Sequence, residues 1–138
     1  EFETMHSLGA VDDILAEVTN DLRRAISAAH SRGVKDEQIV LDVGIGFAKR
    51  AEQNLELIAK LDKIMSEFEN YPILVGASRK SFIGKILSDA PPSERLGGSI
   101  AAAISAVENG AAIVRVHDVR ETVTALKVWT ELSLLNVR

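Results

Sequence analysis

The sequence predicts an α/β chain built on a parallel sheet, and three observations predict it. Short apolar runs at 38–42, 73–76 and 112–117 have the length and composition of buried strands. The segments around them repeat apolar residues every three or four positions, the period of a helix that packs on one face. The two kinds of segment alternate, which requires parallel strands joined by helical crossovers.

Taken in order, Ile14, Leu15, Val18, Leu22, Ala25, Ile26 and Ala29 mark one apolar helix face over 14–29, and Gly33 supplies the stop. Gln38 to Asp42 reads as the first strand, with Gly44 following. Leu55, Ile58, Leu61, Met65 and Phe68 predict a second helix, and Pro72 ends the connection. Ile73 to Gly76 is the second strand, and a short helix covers 81–87. After Pro91-Pro92, Ser93 with Glu94 suits an N-cap for an Ala-rich helix that Asn109-Gly110 closes. Ala112 to His117 is the third strand. Asp118 and Glu121 stand three apart as in a capping box, opening a last helix that runs to about Leu134. Three such strands make either a small open sheet or part of a barrel. A whole (β/α)8 barrel needs roughly 250 residues, so 138 residues supply about half of one.

Composition narrows the functions. The chain carries 16 Lys and Arg against 20 Asp and Glu, a net charge of −4, so nothing draws it as a whole to nucleic acid or an anionic membrane. It has no Cys, which excludes disulfides, thiolate catalysis and zinc-thiolate sites. No apolar run approaches the ~20 residues that cross a bilayer, and the N-terminus lacks a secretory signal, so a cytoplasmic location is expected.

In either architecture ligands gather at the C-terminal ends of the strands, and the chemically unusual residues cluster there. The first end reads Asp42-Val43-Gly44-Ile45-Gly46-Phe47-Ala48-Lys49. Asp42 is either a turn former or an acceptor for paired N–H donors of a ligand. The second reads Gly76-Ala77-Ser78-Arg79-Lys80-Ser81. Its two cations between hydroxyls suit an anionic or electron-rich ligand, or form a solvated basic turn. The third reads Arg115-Val116-His117-Asp118. Strand alternation points Arg115 and His117 the same way, as for a phosphate-like group. The bland alternative pairs Arg115 with an acid and His117 with backbone. Convergence of all three ends on one rim favours a site.

These motifs resemble those of dihydropteroate synthases. The family patterns D-P-G-x-G-F-x-K, V-G-x-S-R-K-S-x-I-G, E-R-x-x-G-S-x-A and G-A-x-I-x-R-V-H-D-V-x-E-T stand here at 42–49, 75–84, 94–101 and 110–122, in order and spacing. Val43 replaces the usual Pro and Ala48 a frequent Gly, which predicts altered loop stiffness but intact ligand chemistry. The S-R-K-S-F-I-G and R-V-H-D segments argue against a related folate-dependent methyltransferase barrel.

The resemblance implies the C-terminal half of a TIM (β/α)8 barrel, three parallel strands with flanking helices, as one partial pterin-binding domain over 1–138. Met5-His6 resembles the end of the family's strand five. Residues 1–4 replace an apolar strand there and read as cloning-derived, the chain as a truncated piece. The implied activity joins 6-hydroxymethyl-7,8-dihydropterin pyrophosphate to p-aminobenzoate, releasing pyrophosphate, with the isolated chain inactive or a non-catalytic binding half-domain. The implied substrate-binding set is Asp42, Gly76, Lys80, Arg115, His117, Ser81, Phe47 and Met5, with Lys80, Arg115 and His117 closest to the chemistry. Asp42 takes the pterin's amino and ring N–H groups. Lys80 and Arg115 lie against the pterin, and Arg115 with His117 binds the departing pyrophosphate. Ser81 and Phe47 border a p-aminobenzoate pocket that sulfonamides also occupy. Mg²⁺ is expected to accompany the pyrophosphate, without protein ligands in this chain, and a homodimer is the expected assembly.

Overall fold

The computed structural model describes residues 13–136. Helix α1 (Ile14–Ser31) turns Ile14, Val18 and Leu22 into the core. It ends as a Schellman motif, with Val34 N–H bonded to Ala29 and Gly33 N–H to His30 at 3.0 Å each, and Gly33 at φ +84° makes that left-handed exit without strain. A 3₁₀ turn over Asp36–Gln38 precedes strand β1 (Leu41–Asp42). Gln38 therefore does not open the strand. Its side chain accepts the Lys35 N–H at 3.0 Å and closes the turn instead.

The expected single helix over 55–68 is two helices, α2 (Ala51–Ala59) and α3 (Leu61–Met65). The Gln53 side chain accepts the Arg50 N–H at 2.9 Å, which starts α2 early, and Lys60 at φ −116°, ψ 25° breaks the run. Strand β2 (Ile73–Val75) leads to α4 (Ser81–Ile86). A 3₁₀ turn over Pro92–Glu94 precedes α5 (Leu96–Glu108), so Arg95, not Ser93, holds the N-cap position. Pro91 and Pro92 impose this, because their carbonyls take the N–H groups of Glu94 and Arg95 before α5 begins. Strand β3 (Ile113–Val114) and helix α6 (Val119–Leu135) complete the described chain.

The three strands are parallel in the order β1-β2-β3, with Leu41 opposite Ile73 and Leu74 opposite Ile113. The helices contact their neighbours in one layer: α1 touches α2 and α3, α2 touches α4 and α5, and α5 touches α6. Right-handed crossovers in one sequential direction place every helix on the same side, as in a barrel wall. A doubly wound sheet would break the order. Leu41, Ile73 and Val75 face the helices and are buried with Leu57, Leu61, Ile64 and Phe82. Val43, which stands where the family has Pro, belongs to the same core. The opposite face carries Val40, Asp42, Ile113 and Arg115, all exposed. Among the described residues no helix is long and apolar enough to cross a membrane.

Strand β3 is shorter than the 112–117 expected. The Arg115 N–H still reaches Val75 O at 3.0 Å, but β2 then turns away, with Ala77 O accepting the Lys80 N–H. Beyond Arg115 the His117 N–H goes to Ser78 Oγ at 3.2 Å instead of a strand carbonyl, so the ladder ends. Arg115 and His117 both stay exposed on either side of half-buried Val116.

Candidate active site

Asp42 is the turn former its position allowed. Its Oδ1 accepts the Gly44 N–H at 2.9 Å and starts a turn, while Oδ2 faces Arg115 Nη1 at 3.3 Å. The turn brings Phe47 N–H onto Gly44 O at 3.1 Å, and Lys49 Nζ closes it by donating to Gly44 O at 2.8 Å and Phe47 O at 3.1 Å. Asn54, 2% exposed on the buried side of α2, accepts the Gly46 N–H at 2.8 Å. Ala48 sits inside this loop at φ +50°, a left-handed conformation that costs an L residue about 1–2 kcal/mol. That explains why glycine suits the position.

Arg115 lies one position beyond β3, beside Gly76 beyond β2. A Cβ built on Gly76 would stand 2.5 Å from Arg115 Nη2. The guanidinium occupies the space that any side chain at 76 would fill, and so spans to Asp42. Gly76 thus serves the site by its missing side chain.

Lys80 heads α4 and reaches back to the first loop, where its Nζ donates to Ile45 O. The ammonium also stands 4.6 Å from the centroid of the Phe47 ring, a cation–π distance on a ring that is itself 66% exposed. Burial holds the Lys80 ammonium below the ordinary lysine range, the Arg115 charge adds to this, and Asp42 opposes it. Asp42, Lys80, Phe47, Gly76 and Arg115 are thus brought together on one rim.

His117 joins by a different route. Its backbone N–H and its Nδ1 both meet Ser78 Oγ, at 3.2 and 2.9 Å. Ser78 is 6% exposed, so a buried hydroxyl fixes an exposed imidazole. Asp118 does not cap α6 with its side chain as the capping-box spacing predicted. Its carboxylate is taken by Arg79 in a two-pronged pair, Nη2 to Oδ1 at 2.7 Å and Nε to Oδ2 at 3.1 Å. Ser81 is exposed at the start of α4, and Met5 lies outside the described residues. Sequence reasoning gave no role to Lys49 or Asn54, and took Ser78 only as a hydroxyl beside the two cations. Asn54 was visible as a polar residue among Leu57 and Ile58 at helical spacing.

Among the described residues no group of three or more His, Asp or Glu could hold a metal ion.

Relatives give this geometry a family. A dihydropteroate synthase of Escherichia coli (strain K12) is 44% identical over 128 residues, covering 91% of this chain and 44% of the relative. A structure of Xanthomonas albilineans dihydropteroate synthase in complex with 7,8-dihydropteroate superposes with a TM-score of 0.84 at 38% identity, over 88% of this chain and 47% of that one. Another from the same organism, with 4-aminobenzoic acid, gives 0.83 at 38% identity, over 88% and 46%. The chain spans less than half the length of these relatives. The three β/α units are accordingly an arc of the family's barrel. Residues 1–117 match the family described as pterin binding enzyme, and to that family the chain belongs.

Proposed function

We propose that the chain forms the C-terminal half of a dihydropteroate synthase site. The observation that carries the reading is the triad Asp42, Arg115 and Lys80 gathered over Gly76 at the strand ends. A pterin presents adjacent N–H donors at one edge, and a carboxylate accepts both at once. Asp42 is preset for this, with one oxygen anchored to the loop and the other held by Arg115. Arg115 lies flat against the ligand's ring and, with His117, receives the pyrophosphate. Ser78 holds His117 by Nδ1 and leaves Nε2 to face an anion. Phe47, Ser81 and the Lys80 stem border the p-aminobenzoate pocket, and Met5 adds to the pterin side.

In the reaction the arylamine nitrogen attacks the pterin's methylene carbon, the carbon–oxygen bond to pyrophosphate breaks, and the amine gives up a proton. The protein supplies position and charge, with no covalent intermediate. Arg115 and His117 stabilise the leaving anion. Lys80 donates from a partly dehydrated setting, where its charge acts more strongly than in water. Mg²⁺ accompanying the pyrophosphate would help neutralise the leaving anion's charge. A cytoplasmic location, sulfonamides as competing occupants of the p-aminobenzoate pocket, and a homodimer complete the proposal.

The test is product formation from pterin pyrophosphate and labelled p-aminobenzoate with Mg²⁺. A longer protein carrying this sequence should turn over and lose turnover on Lys80→Ala, while the 138-residue chain alone should not turn over. Full activity in the Lys80→Ala protein would overturn the assignment.

A further inference from the structure

We infer that Arg95 and Ser99 are positioning residues that set the pose of Lys80, an inference that rests on the reading of Lys80 given above. Lys80 follows Arg79, whose φ of +56° is a conformation that L residues keep only when their surroundings over-determine it. The surroundings here come from the N-terminal end of α5. The Arg79 N–H donates to Ser99 Oγ at 2.8 Å, and the Ser99 hydroxyl donates in turn to Arg95 O at 2.6 Å. Arg95 Nη1 then donates to Arg79 O at 2.8 Å. Both polar groups of the Arg79 backbone are thus tied to one helix end.

The peptide that joins Arg79 to Lys80 is held at both of its ends, its carbonyl by Arg95 and its N–H by Ala77 O at 3.3 Å. That plane aims the Lys80 side chain at Ile45 and Phe47. The clamp is itself braced. Arg95 Nε donates to Ala90 O at 2.8 Å, and the guanidinium lies where a Cβ at Gly84 would come within 2.5 Å of Nη2. Ser99 is 5% exposed, so water cannot replace its hydroxyl. Meanwhile the Arg79 side chain is turned outward to Asp118, so two adjacent cations of the motif do different work. Arg79 holds the turn and Lys80 meets the ligand. A clamp that only stabilised the fold would leave the burial of Lys80, and with it the direction of its titration, unmoved when the clamp is cut.

The experiment follows the Lys80 titration by NMR in the chain labelled with ¹³C at lysine Cε, with Lys80→Ala identifying the signal. Lys80 should titrate below the ordinary lysine range in the unaltered chain, move back toward it in Ser99→Ala, and return in Ser99→Thr, which keeps the hydroxyl. An ordinary value in the unaltered chain, an unmoved value in Ser99→Ala, or no recovery in Ser99→Thr overturns the inference. Should circular dichroism show Ser99→Ala unfolded, hydrogen exchange on the unaltered chain decides. An Arg79 amide protected like the α5 core supports the clamp, and one exchanging like a free loop overturns it. In a longer, active protein carrying this sequence, Ser99→Ala should raise KM for p-aminobenzoate roughly tenfold and change kcat less. If Lys80→Ala abolishes turnover and Ser99→Ala leaves KM unchanged, the clamp fails. If Lys80→Ala has no effect, the functional reading of Lys80 fails instead.

Discussion

The guanidinium of Arg115 lies directly over Gly76, in the space a side chain at 76 would occupy, and from there meets Asp42. A methyl group at Gly76 must displace the guanidinium, since Nη2 would be 2.5 Å from the new carbon. Gly76→Ala should therefore separate Arg115 from Asp42 and weaken pterin binding at least tenfold, with the fold retained. Calorimetric titration with a pterin and a crystal structure of the variant check this. An unchanged affinity with Arg115 in place would refute it.

Asp42→Asn should weaken pterin binding by about 1.5–3 kcal/mol, the worth of a hydrogen bond to a charged group. The amide also puts a donor where Arg115 and the ligand both donate. Binding calorimetry reads the loss directly, and a pterin dissociation constant within twofold of the unaltered protein's would exclude the carboxylate role.

Ala48→Gly should stabilise the protein by about 0.5–1 kcal/mol. Glycine removes the left-handed penalty of about 1–2 kcal/mol and returns part of it as unfolded-state entropy. The φ of +50° is the motive, since nothing else about the position favours losing a methyl group. Urea unfolding gives the answer, and a lowered midpoint would mean that the loop relaxes when it loses the alanine.

The Arg79–Asp118 pair makes stability fall in acid. Hydrogen bonding to Arg79 holds the Asp118 carboxyl below the usual carboxylate range. A carboxylate depressed in the folded state contributes stability that is complete above its unfolded pKa, near 3.8. That contribution fades as pH drops through the lower folded value. The unaltered chain should therefore lose stability below about pH 4, and Asp118→Asn should be less stable at neutral pH with a flatter acid limb. Thermal melts across pH 2–7 compare the two slopes, and parallel curves would show that the pair is not linked to folding.

The alternation of helices and strands was legible in the sequence because each helix shows one apolar face and each strand a short apolar run. The breaks were not. Lys60 interrupts α2 and α3 in the middle of an unbroken apolar period, and β3 stops early because its partner strand turns at Ala77. The end of β3 is set by its partner strand and not by its own residues, and the Lys60 break leaves no mark in the apolar pattern around it. Asp42, Lys80 and Arg115 could be read as site residues from their place at strand ends. The contribution of Gly76 was visible only as a motif letter, because an empty space has meaning only once Arg115 is seen to fill it. Asp118 was misassigned as a capping residue since its partner, Arg79, lies 39 positions away.

Lys80 is anchored on the main-chain oxygen of Ile45, not on a side chain. Every amino acid at position 45 supplies that oxygen, so no single substitution there can delete the acceptor. Escape from a ligand that grips Lys80 must instead bend the path of the loop, and Ile45, 1% exposed, ties that path to the core. A change that loosens the Lys80 anchor therefore also disturbs the core beneath the loop, and should lower stability along with ligand affinity.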